Sequence, residues 1–519
     1  MSKQSAMGSA THAGVRNASA WLDRGRSLVL GGDLVAAIAA FREGLAAEPG
    51  SIELRHALAG VLWQSGHAVQ AEQLLRALLV DDPDHAAATF LLAQILAREG
   101  RMGAVESVVC TLFAQPRDTG LLIHAIETLD DAGRKQAAAS LVEAAIARGS
   151  SDPRLHAYAG MLAMQLGEFE RARERYRYAL DHDPRAIGWQ SAYGYAMCKR
   201  YAEADDADFA LLRGYLARPD LDASARASVL FALGKASDDV GDFARAAAWL
   251  REANALARSA TDWSRKNWRR LVAARADMPV SAIRAAARPD FVPVFVVGLP
   301  RAGTTLVADR LARHPATCNR GELNWIAQLA RELGQAARPS VDALERAVDT
   351  YVAQMRQDDT PARFFIDKQP LNFLHIEYVL AMFPHARLIH CRRNARDTAL
   401  SIWMQHFAGR EMGFAYDFAD IAAVEQGSAR LTDLARKRHP DAIRELRYEV
   451  LVQDPQRVIA DLAEWIGLSP VSDDADDGRA RVISTASAWQ VRQPVHARSI
   501  GRWRAYAPHV PELAGFDDG

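Results

Sequence analysis

Cysteine is scarce: Cys110, Cys198, Cys318 and Cys391 are the only four in 519 residues, and no two of them form a CxxC pair. Their scatter excludes a disulfide-stapled secreted scaffold, offers no zinc-ligand spacing and points to a reducing compartment. Charge of one sign is also missing. With 63 basic and 64 acidic residues, no whole-molecule field draws the chain to nucleic acid or to a lipid surface, so any anion site must be local. No apolar run reaches the roughly 18 residues a membrane span needs. The first twenty residues, MSKQSAMGSATHAGVRNASA, lack an apolar stretch of signal-peptide length. The expectation is a chain without a membrane span, resident in the cytoplasm. What is present is the balance of a folding globular protein, 49% apolar and 24% charged. The length exceeds what one hydrophobic core needs, so two or more structural units are expected.

The first half is periodic. Gly32, Gly66, Gly100, Gly133 and Gly167 stand 34, 34, 33 and 34 residues apart, and Pro49, Pro83, Pro116 and Pro184 keep nearly the same beat. Ala37, Ala71, Ala138, Ala172 and Ala246 each follow a glycine by five residues, Ala246 following Gly241. Glycine frees a turn, proline blocks helix continuation, and segments such as DLVAAIAAFREGLAAEP carry apolar residues at helical spacing. The pattern resembles the tetratricopeptide repeat, a helix-turn-helix unit with alanine at the packing contact, over about residues 20 to 260. Val105 replaces the alanine after Gly100, which predicts a splayed pair, and the long interval from Gly167 to Gly241 predicts an insertion around KRYAEADDADFALLRGYLARPD. A stacked array suits a protein or peptide in its groove; the plainer alternatives are scaffolding of a neighbouring domain or homodimerisation. The boundary is placed near residue 285, giving a helical array with linker helices over 20–285 and a second domain over 286–519.

The second half opens with FVPVFVV, residues 291 to 297, which reads as a buried parallel strand ending at Gly298. GLPRAGTT and the helical LVADRLARH follow. Strand, glycine-bearing turn and helix together make an oxyanion cradle, because amides at a helix start point outward and the helix dipole favours negative charge. Gly298 and Gly303 fit GxxxxG, yet Thr304 stands where a nucleoside triphosphatase places its lysine. That counts against ATP or GTP hydrolysis. Arg301 supplies the local charge instead, and a guanidinium can hold two oxyanion oxygens at roughly 1.5 to 3 kcal/mol per charge-assisted bond.

PRAGTT resembles the 5′-phosphosulfate loop of sulfotransferases that use 3′-phosphoadenylyl sulfate (PAPS), in particular the branch that includes the protein-tyrosine sulfotransferases. The resemblance spans about residues 292 to 508 and implies an α + α/β chain, an all-α solenoid followed by a P-loop-like parallel-sheet domain. It implies that Arg301, Ala302, Gly303, Thr304, Thr305 and Leu306 cradle the donor's phosphosulfate end. In ARLIHCRRNARDTALS, Arg393 and Ser401 fall eight residues apart, the family's spacing for the 3′-phosphate, with Arg396 able to assist and Arg392 read as a surface charge. Lys368, two residues before Pro370 in FFIDKQPLNF, would neutralise charge on the bridging oxygen as sulfur leaves it. Glu322 in HPATCNRGELNW is the candidate general base, although the tyrosine sulfotransferases carry two consecutive acids where this chain has Glu322 and Leu323. His314, the other candidate base, more simply ends a helix. Tyr448 would reach the nucleotide, as would Ser487, Arg498 and Arg502 in the late stretch STASAWQVRQPVHARSIGRWRAY, with Trp503 packing nearby.

The implied reaction is in-line transfer of a sulfuryl group from PAPS to an acceptor hydroxyl or amine, a peptide tyrosine among them, without a metal. Two rival readings are a P-loop small-molecule kinase and a non-catalytic repeat adaptor. Acceptor identity does not follow from these residues.

Overall fold

Glycine-driven turns and proline stops should give antiparallel helix pairs, and a computed structural model, which describes residues 8–279, 283–335, 339–357, 359–407, 409–469 and 497–517, has them. Gly32, Gly66, Gly100, Gly133, Gly167 and Gly241 all adopt left-handed backbone, φ between +72° and +88°, a conformation that side-chain-bearing residues avoid. Two compact units result, Met1–Leu141 and Val142–Gly519.

In the first unit, helices Leu34–Ala47, Ile52–Gln64, Ala68–Asp81, Ala86–Arg98 and Met102–Leu112 follow one another. Asp33 and Ser51 cap two of them through bonds from Ala36 N (2.9 Å) and Leu54 N (3.3 Å). Ala37 and Ala71 are fully buried, and Val105 is fully buried at the same place. The valine thus fills the packing contact the alanines make elsewhere, and its helix pair keeps the repeat's order.

The second unit begins with the pair Pro153–Leu166 and Phe169–His182. A 3-10 turn, Pro184–Ile187, and a short helix, Ser191–Met197, follow, and the expected insertion around residues 199–220 holds the short helix Ala207–Leu216. Buried Asp208 gathers it by accepting from Arg173 (2.5 Å), Tyr195 Oη (2.8 Å) and Tyr201 Oη (3.1 Å). Helices Ala223–Asp239, Phe243–Ser259 and Arg265–Ala276 then lead to the sheet. These helices share one core with the sheet domain: Phe231, Leu250 and Trp268 are buried with Phe295, Phe365 and Phe373. Each such side chain contributes roughly 1.5 to 3 kcal/mol on burial. Two buried polar bonds cross the same boundary, Asn254 Nδ2 to Trp403 O at 3.0 Å and Trp268 Nε1 to Ala423 O at 3.0 Å.

Five parallel strands, β1 (Val292–Gly298), β2 (Thr317–Asn319), β3 (Phe364–Asp367), β4 (Arg387–Arg392) and β5 (Ile443–Arg447), lie in the order β2-β3-β1-β4-β5. Alternate residues of β1 enter opposite cores, Phe295 and Val297 on one face and Val294 and Val296 on the other. That explains the unbroken apolar run. The chain runs from β1 to β2 and β3 on one side, then crosses to β4 and β5 on the other. A ligand crevice forms at such a reversal, at the carboxyl ends of the strands.

Candidate functional site

The carboxyl ends of the strands carry the loop after Gly298, Lys368 after β3, Arg393 after β4 and Tyr448 after β5. Gly298 lies so close to β4 that a Cβ there would come within 2.4 Å of the Cys391 carbonyl oxygen. The loop then turns through Arg301, at φ +70°, and Gly303, at φ +97°, into helix Thr304–Leu311. Gly303 caps this helix without a side chain, so no capping oxygen competes for the first-turn amides. Ala302 and Thr304 are buried, Thr305 and Leu306 half-buried.

Arg301, Arg393 and Ser401 converge. Arg301 Nε donates to Ser401 Oγ at 3.1 Å, and Arg393 Nη1 donates to the Arg301 carbonyl oxygen at 3.2 Å. The Arg393 guanidinium lies 4.9 Å from the centre of the Tyr448 ring, and its buried Nε has no hydrogen-bond partner among the described residues. Burial and then the neighbouring Arg393 push Arg301 down to about 10, and burial lowers Arg393 as well, with Arg502 lowering both. Two desolvated cations side by side make a site that gains by receiving an anion.

Lys368 and Glu322 form an ion pair. The bond from Lys368 N to Gly321 O (2.8 Å) extends the β2–β3 ladder into this loop, and Arg320 fastens the loop by donating to Met355 O (2.6 Å) and Arg356 O (2.8 Å). The Lys368 side chain is only 2% exposed, whereas that of Glu322 is 37% exposed. Burial lowers the Lys368 pKa while Glu322 pulls it back up. Lys368 is therefore no solvated strand-end lysine.

The remaining candidates separate. His314 ends its helix, accepting from Ala316 N through Nδ1 at 3.1 Å, with Nε2 2.9 Å from Ser469 O. Arg392 faces Glu445 at 3.5 Å, while Arg396 donates to Phe516 O at 3.0 Å and covers the Trp503 ring at 4.5 Å. Arg498 is exposed. Arg502 meets Asp238, which also accepts from Tyr506 Oη at 2.6 Å. Ser487 lies outside the described residues.

Sequence reasoning missed Asp397, which accepts from Gly501 N (2.6 Å) and Trp503 N (2.9 Å), and Glu449, which accepts from Asn394 N at 2.8 Å. Both stood beside singled-out residues, and an acid in the first turn of a helix that buries its neighbours was the signal available. Tyr193, on the short helix Ser191–Met197, also bears on the site through its electrostatic influence on Arg301. Among the described residues, no group of three or more His, Cys, Asp or Glu could hold a metal ion, and no helix is long and apolar enough to cross a membrane.

Fold and site define a class: helical repeats followed by a parallel α/β domain that brings two arginines, Arg301 and Arg393, together at its strand ends. Residues 293–473 match the model of the sulfotransferase family, and residues 28–95 and 125–187 match tetratricopeptide-repeat models. The chain thus joins a sulfotransferase-family domain to tetratricopeptide repeats. An uncharacterized protein of Aquifex aeolicus (strain VF5) is 27% identical over 95% of this chain and 69% of its own length. Protein-tyrosine sulfotransferase 1 of Danio rerio is 24% identical over 42% of this chain and 67% of its own. A solved sulfotransferase domain from the curacin biosynthetic pathway aligns with 44% of this chain and 99% of that one, at 15% identity and a TM-score of 0.27.

Proposed function

We propose that this chain transfers a sulfuryl group from PAPS to an acceptor hydroxyl or amine, peptide tyrosine included. The observation that carries the reading is the convergence of two half-buried guanidiniums, Arg301 and Arg393, with Ser401 beside a loop that opens a helix. Arg393 and Ser401 hold the 3′-phosphate. Arg301 and the amides from Ala302 to Leu306 hold the phosphosulfate end, with Tyr448 against the nucleotide.

In the transfer, the bond from sulfur to the bridging phosphate oxygen breaks as the acceptor oxygen or nitrogen bonds to sulfur. Adenosine 3′,5′-bisphosphate leaves with the electron pair. Lys368 stabilises the charge on the departing oxygen, and Glu322 takes the acceptor proton. Both roles require the Lys368–Glu322 pair to part when donor and acceptor enter. The exposed side of Glu322 is where the acceptor approaches.

Residues 286–519 carry donor and chemistry, and residues 20–285 recruit a protein or peptide partner or substrate. The two tetratricopeptide matches support the second role. The four cysteines are all unpaired, which supports residence in the cytoplasm.

Thermal unfolding of the full chain tests the reading. Adenosine 3′,5′-bisphosphate without Mg²⁺ should raise the midpoint, since a ligand at a hundred times its Kd adds about 2.7 kcal/mol. Stabilisation by Mg²⁺-ATP alone would move the chain to the kinases.

A further inference from the structure

The segment from Arg498 to Phe516 is tied to the donor residues at four points. Ser499 O accepts from Arg393 Nη2 at 2.6 Å, Ser499 Oγ lies 2.9 Å from Tyr448 Oη, and the Asp397 carboxylate accepts from both Gly501 N and Trp503 N. Asp397 sits one helical turn before Ser401 on helix Ala395–Trp403. Yet the segment's only described α-helix, Trp503–Tyr506, has four residues, far too short to hold itself in water. Farther along, Val510, Leu513 and Phe516 are buried in the same core as Leu400 and Phe418, and a second anchor comes from outside the sheet domain.

That anchor is on a repeat-array helix. Asp238, near the end of helix Ala223–Asp239 and only 8% exposed, pairs with Arg502 and accepts from Tyr506 Oη at 2.6 Å. The next residue bonds to different partners: Asp239 accepts from Tyr201 N at 3.1 Å and pairs with Lys235 at 2.7 Å, within the array's own charged cluster. Two adjacent acids divide the work, one fastening the array and the other reaching the donor site. Trp403, which ends the Asp397 helix, is bonded to Asn254 of the following array helix, and Arg251 on that helix pairs with Glu512 at 2.6 Å.

We infer that Asp238 is a positioning residue of the donor site: through Arg502 and Tyr506 it orders the backbone from Ser499 to Trp503 against Arg393, Tyr448 and Asp397, so that the array's last helix pair completes the catalytic domain. The donor part of this inference rests on the function proposed above. Without the carboxylate, Arg502 and Tyr506 lose their shared acceptor, and donor binding must then supply the ordering of the segment.

Asp238→Asn keeps the shape and removes the charge; Asp239→Asn is the control on the same turn. Two readouts apply to the full chain: hydrogen exchange of the amides of residues 499–506, and the Kd of adenosine 3′,5′-bisphosphate by calorimetry without Mg²⁺. Asp238→Asn should speed exchange in 499–506 while leaving the amides of β1 and β4 protected, and should weaken the bisphosphate roughly ten-fold. Tyr506→Phe, which keeps the Arg502 pair, should weaken it by a smaller factor, and Asp239→Asn should leave both readouts at the wild-type level. Unchanged exchange in Asp238→Asn, or equal weakening by Asp239→Asn, overturns the inference and makes Asp238 a fold contact only. If the wild-type chain binds no bisphosphate, the proposed function fails instead, and the exchange readout still decides whether Asp238 orders the segment.

Discussion

Replacing Lys368 by Met separates catalysis from stability. The Lys368 side chain is 2% exposed and that of its partner Glu322 is 37% exposed, so the pair is lopsided: the cation has lost its water and the anion keeps part of its own. A buried ion pair regains little more than its desolvation cost, and an apolar replacement of similar volume is often neutral or stabilising. Met preserves the stem's volume, and Glu322 can turn to solvent once the ammonium is gone. The unfolding free energy of Lys368→Met should therefore lie within about 1 kcal/mol of wild type, or above it. If Lys368 stabilises the leaving oxygen, turnover should fall about 100- to 1,000-fold, which corresponds to about 2.7–4 kcal/mol of lost transition-state stabilisation. Denaturant titration gives the first quantity. Transfer of labelled sulfate from PAPS into a lysate protein pool gives the second. Turnover within threefold of wild type, or a loss no larger than the loss of folded protein, would refute the electrostatic role.

Two further outcomes follow from the geometry. Gly303→Ala puts a Cβ 2.6 Å from Tyr448 Cδ2 at a residue with φ +97°. It should cost about 1–3 kcal/mol in chemical denaturation and displace the Tyr448 ring, visible as altered tyrosine fluorescence. Asp367, fully buried and accepting from Tyr351 Oη at 2.8 Å, has its carboxyl pushed up to about 7 by burial, against an ordinary 3.8. A raised carboxyl pKa means that the folded state binds the extra proton. Its contribution is full below pH about 4 and is lost as pH rises through about 7. The stability deficit of Asp367→Asn relative to wild type should therefore shrink across that window when unfolding is measured at successive pH values.

What was legible in the sequence was what local physics enforces. The turn glycines each take a left-handed φ, which favours glycine, and the alanines five residues on are each fully buried. The run after Asp290 read as a strand because both of its faces enter a core. The link between Asp238 and Arg502 spans 264 residues, and no periodicity or spacing announces such a pair. The same holds for Asp397 and Trp503, 106 residues apart. Arg502 could be singled out by motif, but what its guanidinium would meet depended on a helix read only as part of a repeat. Val105 shows the converse: a departure from the repeat pattern that one extra buried side chain absorbs.

In the proposed function, Arg301, Arg393 and Ser401 grip both ends of a doubly anionic adenosine donor. The most direct measurement is the ratio of Kd values for adenosine 5′-monophosphate and adenosine 3′,5′-bisphosphate, by calorimetry without Mg²⁺, in wild type and in Arg393→Ala. Wild type should strongly prefer the bisphosphate, and the ratio should collapse roughly ten- to hundred-fold in the variant, the loss of one or two charge-assisted bonds. A ratio unchanged by the substitution, with both ligands weakened equally, would contradict it.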